Sequence, residues 1–282
     1  NLMPFLENLR EGYDIVMGNR FKGGIRRGAM PWHHKYIGNP FLSGIGKLFF
    51  KSDVNDFHSG LRGFTRAAYK RMDLRTQGME FASEMVVKAS MYGMKIREVP
   101  IVLFPDGRSG KPHLRSFRDG WRHLKFLFLY SPRWLFFYPG LILMLGGILS
   151  MFWILFQPEL KWDIHTMLYS SASTLIGFQA VTFAVLSKTF AVHEKLIPSN
   201  VIIEKVLQLV TPDRGLVTGL IIVILGIAAT IYTIVIWQEG TFFELGIRIT
   251  MRYVIASATL LILGFQMIFS SFFFHMLKLN TN

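Results

Sequence analysis

Two short segments in the front half of this 282-residue chain combine charged residues with glycine. The segment DFHSGLRGF, residues 56–64, places Asp56 ahead of a Ser-Gly turn and of Arg62. The segment RSGK, residues 108–111, is a cationic loop whose glycine lets the backbone approach a ligand closely. Arginine suits phosphate because its planar guanidinium donates two aligned hydrogen bonds. The first segment therefore indicates a turn with a charge pair between Asp56 and Arg62, and the second supplies cations of the kind that bind phosphate.

Helices and strands alternate around these segments. The pattern predicts a short helix over Leu2–Arg10, a buried strand over residues 14–18 and a helix over Glu80–Tyr92 that Gly93 ends. Residues 97–104, REVPIVLF, predict a strand pair or one bent strand, since proline removes a ladder donor. An α/β domain is therefore expected in the front half of the chain.

A long basic segment, FKGGIRRGAMPWHHKYIGNP, follows the first predicted strand. It is rich in glycine and turn residues and predicts a loop, and a loop of that length in a compact domain is more often functional than idle. Its adjacent His33 and His34 are better suited to phosphate or headgroup contacts than to metal binding. Glu80 and Glu84 lie one helical turn apart, and solvent exposure or capture by a nearby arginine is the commoner fate of such a pair.

Charge divides the chain into two regions. Residues 1–133 hold 23 Lys and Arg against 11 Asp and Glu, a net charge of +12, whereas residues 134–282 hold 8 against 7, a net charge of +1. With 51% hydrophobic residues, the chain is too apolar for an ordinary soluble domain and too basic for a purely lipid-embedded one. The lack of cysteine excludes disulfides, cysteine-based zinc sites and thiol nucleophiles.

The back half, residues 134–282, predicts an all-α membrane domain. Four nearly charge-free runs are each long enough, at about 1.5 Å per residue, to cross a hydrocarbon core of about 30 Å. They are Trp134–Phe156, Thr166–Leu186, Leu216–Trp237 and Tyr253–Leu277. Lys and Arg are concentrated in the 187–215 link, so the positive-inside bias places that link, residues 1–133 and the C-terminus in the cytoplasm. A multi-pass protein of the plasma membrane is expected.

Residues 115–133 predict an amphipathic helix that lies in the membrane interface. Cations recur at spacings of three or four residues, and large apolar side chains lie between them. Each cation near an anionic leaflet adds about 1 kcal/mol of attraction. The predicted interface residues are Arg115, Arg118, Trp121, Arg122 and Lys125.

Five motifs occur in an order that resembles family 2 glycosyltransferases of the dolichol-phosphate-mannose-synthase type. They are GNRF at 18–21, HHKYIGNP at 33–40, DFHSGLRGF at 56–64, GMEFASEM at 78–85 and EVPIVLFPDGRSGK at 98–111. The four-span tail is similar to that of bacterial polyprenyl-phosphate glycosyltransferases. The resemblance implies that residues 1–114 are the C-terminal part of a GT-A type α/β domain.

The implied reaction is an inverting transfer of a sugar from a nucleotide sugar to polyprenyl phosphate, undecaprenyl or dolichyl. The implied partners are these two substrates and the lipid bilayer, without nucleic acid, and a homo-oligomer is left open. Members of the family hold a divalent cation, Mg or Mn, at an Asp-x-Asp motif in a preceding nucleotide-binding half. Because this chain contains no Asp-x-Asp, we expect it to be the C-terminal part of a longer enzyme, without a metal site of its own.

The resemblance also assigns roles to individual positions. It places Asp56 beside the anomeric carbon, where it would orient or deprotonate the acceptor, although a phosphate nucleophile is already anionic near neutral pH and needs little base assistance. His58 replaces a threonine common in relatives and receives no role. The implied substrate-binding residues are Arg20, Lys35, Asn39, Ser59, Gly60, Arg62, Arg108, Gly110 and Lys111.

Two other functions share parts of this pattern. A processive polysaccharide synthase would have the same α/β domain, but the chain lacks a Gln-x-x-Arg-Trp motif, which GWRHLKF at residues 120–126 does not supply. A non-catalytic membrane anchor or scaffold would be expected if the chain were a natural truncation. The DNA upstream of Asn1 would separate these alternatives.

Overall fold

The structure is a computed structural model, and it divides into two compact units, Asn1–Ser131 and Pro132–Asn282. It describes residues 2–78, 80–107, 116–157, 163–194, 196–198, 211–238 and 241–279. The predicted class, an α/β unit followed by four helices long and apolar enough to span a membrane, is confirmed.

The first unit contains a three-stranded sheet in the order β2-β1-β3. The strands are β1, Ile15–Asn19, β2, Arg62–Phe64, and β3, Ile96–Pro100. The central strand β1 is antiparallel to β2 and parallel to β3. Every residue of β1 is buried, as expected of a strand with neighbours on both sides and apolar side chains. Because β1 and β3 are parallel, their carboxyl ends lie at the same edge of the sheet.

Helices surround this sheet and build the core. Phe5 of the first helix packs with Val16, Val99 and Ile101. The helix over residues 80–91 buries an apolar face against the unit, and it also buries the ion pair between Glu84 and Lys88. The helices of the first unit are α1, Met3–Arg10, α2, Arg20–Gly23, α3, Asn39–Phe50, α4, Arg66–Met72, α5, Glu80–Met91, and α6, Ser116–Leu129.

Parts of the basic segment predicted as one long loop are helical. Its first residues belong to α2, and His34–Gly38 form a π-helical turn that runs directly into α3. Pro40 lies in the first turn of α3, where a missing N–H interrupts few helical hydrogen bonds. Of the predicted strand over residues 97–104, residues 97–100 belong to β3. Further along, Leu103 forms an isolated bridge with Ile25.

The second unit contains the four predicted spans, which are confirmed. After a π-helical turn at Arg133–Phe137, the helices are α7, Tyr138–Leu155, α8, Asp163–His193, α9, Pro212–Gln238, and α10, Thr241–Leu279. Small residues let neighbouring helices approach closely: Gly177 of α8 faces the backbone of Gly140 and Met144 in α7. Arg252 donates to the carbonyls of Ile154 and Gln157 at 3.0 Å each, so its charge caps the C-terminus of α7.

Candidate active site

Arg20 and Asp56 form a two-pronged ion pair at the edge of the sheet where β1 ends. Nε of Arg20 donates to Oδ2 of Asp56 at 2.7 Å, and Nη2 donates to Oδ1 at 2.6 Å. The peptide N–H of Arg20 adds a third bond to Oδ2 at 3.0 Å. The carboxylate is completely buried, whereas the arginine side chain is 14% exposed. The structure therefore brings these two predicted site residues together, and Arg20 rather than Arg62 is the ion-pair partner of Asp56.

Glu98 lies behind this pair and accepts hydrogen bonds on both carboxylate oxygens. Oε1 accepts from the peptide N–H groups of Asn55 at 2.7 Å and Asp56 at 3.0 Å. Oε2 accepts from Nδ2 of Asn55 at 2.8 Å and from Nδ2 of Asn19 at 2.9 Å. Burial by itself raises the pKa of Glu98, but these hydrogen bonds outweigh it and hold the pKa below its ordinary value. The sequence interpretation gave Glu98 no role, although its place in a predicted strand that opens one of the five motifs was a usable signal.

Arg62 holds the loop that carries Asp56. Its guanidinium donates to three backbone carbonyls: Ser59 at 2.8 Å, Phe57 at 2.5 Å and Ala82 of α5. Burial lowers its pKa to about 10, which leaves the group charged at neutral pH. Through these contacts Arg62 fixes the loop that carries Asp56 against α5. The substrate contact that the resemblance implies for Arg62 stays a prediction.

Ser59 and Gly60 differ in their access to a ligand. Ser59 is fully buried, and its hydroxyl has no hydrogen-bond partner within the described part of the chain. It lies against Gly18 of β1, where an added Cβ would come within 3.1 Å of Oγ. Gly60 is exposed, with open space around its Cα. A Cβ at residue 60 would therefore meet open space, whereas one at residue 18 would clash first with the Ile101 side chain and also press on Ser59.

Lys35 and Asn39 lie in the π-helical turn and at the start of α3. Lys35 is half-buried, with Nζ 5.1 Å from the centroid of the Tyr36 ring, and Asn39 is buried with Nδ2 3.5 Å from the sulfur of Met30. Partial burial lowers the pKa of His34, the first residue of this turn, and the charges of His33 and Arg20 lower it further. The structure thus places Lys35 and Asn39 on one continuous helical segment, and their contact with a substrate stays a prediction.

Four predicted site residues, Arg108, Gly110, Lys111 and Arg115, lie outside the described residues. The structure therefore neither joins them to Arg20 and Asp56 nor separates them. No three His, Asp or Glu side chains cluster to suit a metal ion in the ranges that the structure describes. The resemblance places the divalent cation at an Asp-x-Asp motif in a preceding half, so no chemical step is assigned to a metal in this chain.

Comparisons with known proteins find similarity to glycosyltransferases. Residues 185–278 match the glycosyltransferase family 2 C-terminal transmembrane region. This match lies in the membrane half of the chain, whereas the five motifs lie in the other half.

Relatives of this chain occur in Haloferax volcanii. It is 33% identical to the low-salt glycan biosynthesis hexosyltransferase Agl6 over 275 residues, 96% of this chain and 65% of that protein. It is 30% identical to the glycosyltransferase AglJ over 190 residues, 64% of this chain and 61% of the relative. A dolichyl-phosphate hexose transferase is 28% identical over 119 residues, 42% of this chain and 50% of the relative. The chain thus spans less than two thirds of the length of each.

His58 contacts the helix that was predicted to lie at the membrane. Its ring meets that of His123 in α6 edge-on, with centroids 4.7 Å apart, and Nδ1 of His123 lies 2.7 Å from Oγ of Ser83. Both ring nitrogens of His58 are buried without a hydrogen-bond partner among the described residues. Burial, followed by the charges of His123, Arg20 and Arg62, lowers the pKa of His58 to about 3.

The two acids of α5 have separate environments. Glu84 is fully buried, pairs with Lys88 at 2.8 Å and accepts from Oγ1 of Thr76 at 2.6 Å. Burial raises its pKa, but these hydrogen bonds outweigh burial and lower it. Glu80 is 3.9 Å from Nε of Arg122 in α6. The prediction that a nearby arginine pairs with the acid therefore applies to Glu80, whereas Glu84 pairs with Lys88, one helical turn away.

Helix α6 is amphipathic: one of its faces packs in the core, and the other is exposed. Phe126 and Leu127 are buried, whereas Phe117 is 94% exposed and Trp121 is 66% exposed. The exposed cations are Arg118, Arg122 and Lys125. A second exposed apolar surface, which sequence reasoning missed, runs along the π-helical turn and α3 and comprises Trp32, Tyr36, Ile37, Phe41 and Leu48.

Proposed function

We propose that this chain forms the acceptor-binding and catalytic part of a membrane glycosyltransferase. The enzyme would transfer a sugar, with inversion, from a nucleotide sugar to a polyprenyl phosphate. The proposal is supported chiefly by the Arg20–Asp56 pair, in which the buried carboxylate of Asp56 orients the partly exposed guanidinium of Arg20. The names of the relatives, a hexosyltransferase and a dolichyl-phosphate hexose transferase, favour the same reaction class.

The pair suits an anionic nucleophile. Two of the five N–H donors of the Arg20 guanidinium bond to Asp56, so three remain for an incoming phosphate. A phosphate held there carries negative charge and attacks the anomeric carbon through one of its oxygens. The bond from that carbon to the nucleoside diphosphate breaks, and the leaving group keeps the electron pair. No proton has to move, which favours a positioning role for Asp56 over general-base catalysis.

Cations around the pair would then complete the acceptor site. Lys35 lies in the π-helical turn, and Arg108 follows the bridge at Leu103 by five residues. Each can neutralise phosphate charge by a charge-assisted hydrogen bond. A polyprenyl phosphate presents its phosphate at the membrane surface, and we propose that α6 and the exposed surface of α3 hold the first unit there. The loop charges favour the cytoplasmic face of the plasma membrane.

The test is an assay of sugar transfer by the complete gene product. Arg20→Ala and Arg108→Ala should each lower kcat/KM about ten- to a hundredfold, as expected for a lost charge-assisted phosphate contact. Arg20→Lys and Arg108→Lys should recover only part of the loss, because an ammonium keeps the charge without the planar fork. Arg66→Ala, at an exposed arginine of α4, is the matched control.

The outcomes separate the candidate functions. Transfer of one sugar to polyprenyl phosphate, lost in the Arg20 variants, supports the proposal. A polymeric product would instead indicate a processive synthase. The complete gene product of a scaffold would transfer no sugar from any nucleotide sugar tested. Full activity in both Arg20→Ala and Arg108→Ala would exclude the proposed acceptor site.

A further inference from the structure

We infer that Glu98 is a positioning residue that sets the placement of Arg20 relative to Asp56. The inference rests on the proposed function and adds to it a residue to which the resemblance assigned no role. The Glu98 side chain is 8% exposed and lies behind the ion pair, so it acts through its neighbours rather than on a substrate. Its carboxylate connects two segments that are 42 and 79 residues away along the chain.

The first connection runs through Asn19 to Arg20. Nδ2 of Asn19 donates to Glu98, while its Oδ1 accepts the peptide N–H of Lys22 at 2.8 Å. That second bond is the N-terminal cap of α2, the short helix that begins at Arg20. Because rotating the amide by half a turn would break both bonds, Glu98 determines which way Asn19 points and thereby stabilises the start of α2.

The second connection runs through Asn55 to Asp56. The peptide N–H groups of Asn55 and Asp56 both donate to Oε1 of Glu98. The same carboxylate therefore fixes the backbone at the catalytic candidate, Asp56. The Asn55 side chain adds a bond to Oε2, and its own oxygen accepts from Nζ of Lys47 at 2.6 Å. The two connections meet where the guanidinium of Arg20 closes on the carboxylate of Asp56.

Only an ionised carboxylate satisfies this arrangement. Every group around Glu98 is a donor: two peptide N–H groups, two side-chain amides, and Nζ of Lys22 at 3.5 Å. A glutamine has one accepting oxygen, and its NH₂ group would face two donors instead of pairing with them. Glu98→Gln therefore keeps the shape of the side chain while breaking half of its bonds.

The hydrogen bond that Asn55 donates to Glu98 can be reversed by mutating both residues, and this reversal provides a test. In the complete gene product, Glu98→Gln should lower kcat at least about tenfold, with little change in the donor KM. Adding Asn55→Asp should recover part of the loss, since the new carboxylate can accept from the glutamine NH₂ and from Lys47. Asn55→Asp alone should be impaired, because it places a second carboxylate against Glu98. Recovery of this kind is not expected of a residue that only fills space.

A double-mutant cycle shows whether Glu98 acts through Asp56. If it does, Glu98→Gln should cost much less in an Asp56→Asn background than in the wild type. An equal loss in both backgrounds, or wild-type activity of Glu98→Gln, would overturn the inference. Wild-type protein without any transfer activity would instead count against the proposed function.

Two further measurements do not depend on turnover. Hydrogen exchange of the peptide that contains residues 51–60 should speed up in Glu98→Gln, because the amides of Asn55 and Asp56 lose their acceptor; unchanged exchange would contradict the inference. If Glu98→Gln fails to fold, Asn55→Ala removes a single donor and leaves the buried acid in place. It should lower kcat by less than Glu98→Gln does and speed the exchange of the same peptide by less, because both amides keep their acceptor while the carboxylate loses one side-chain donor. Wild-type kcat together with wild-type exchange would overturn the inference.

Discussion

The imidazole of His58 stands edge-on against the imidazole of His123, and this contact ties the loop of Asp56 to α6. Burial is the main cause that lowers the pKa of both histidines, and the charges of Arg20 and Arg62 lower that of His58 further. At His123 the carboxylates of Glu80 and Asp119 act in the opposite direction but do not outweigh burial. The contact is therefore favoured when the rings are neutral. Its stability should depend on pH in a range where few other groups titrate.

The first prediction follows from this contact. An unfolded histidine binds its proton near pH 6.5, whereas His58 in the folded chain does so only near pH 3. Below pH 6.5 the unfolded state therefore binds more protons, so stability is complete above that pH and falls as the pH is lowered. Thermal unfolding of the detergent-solubilised protein between pH 7 and 4.5 should show a falling Tm.

His58→Phe should flatten this pH dependence, because phenylalanine keeps a ring against His123 and does not titrate. His33→Phe, at a half-buried histidine of the basic segment, is the control and should leave the slope as it is. An identical slope in the wild type and in His58→Phe would show that the ring contact does not govern acid stability.

A second prediction concerns Arg62. Arg62→Ala should destabilise the first unit by about 3 kcal/mol, because it removes hydrogen bonds from a charged group to three buried carbonyls. Arg62→Lys should recover only a fraction, since an ammonium cannot reach all three. Chemical unfolding curves would measure the change, with Arg71→Ala, an exposed arginine on α4, as the comparison. If Arg62→Ala were as stable as the wild type, Arg62 would not be needed to hold the loop, and the ligand contact implied by the resemblance would be the better account of it.

The third prediction tests whether α6 contacts the membrane. The chain has no cysteine, so Phe117→Cys can carry a single environment-sensitive dye. In liposomes with anionic lipid, the emission should shift to the blue at low salt, and the shift should shrink when Arg118 and Arg122 are replaced by Glu. A dye at Tyr69→Cys, exposed on α4, should not respond. An undiminished shift after charge reversal would show that these cations do not hold the helix at the headgroups.

The fourth prediction concerns orientation and rests on the distribution of Lys and Arg among the links. A cysteine at Asp163, in the first link between spans, should react with an impermeant thiol reagent added to intact cells. A cysteine at Glu194, in the basic link after α8, should react only after the cells are opened. The reverse labelling pattern would invert the proposed topology.

Local patterns in the sequence determined the class of this protein. Run length identified the four spans, because a bilayer of fixed thickness demands about 20 apolar residues from any helix that crosses it. Periodicity identified α6 and the buried β1, since both depend on spacings within one element. Motif order singled out Arg20 and Asp56 before any geometry was available.

Tertiary structure alone decided which charged groups meet. Arg20 and Arg62 were both available to Asp56, and the choice followed from the end of β1 and from the carbonyls that Arg62 engages. The role of Glu98 depends on the parallel register of β1 and β3, which sets Met17 opposite Glu98 and brings Asn19 within reach. Such contacts join residues 36 to 79 positions apart. Their geometry arises from strand order and register, which the spacing of residues within one element does not encode.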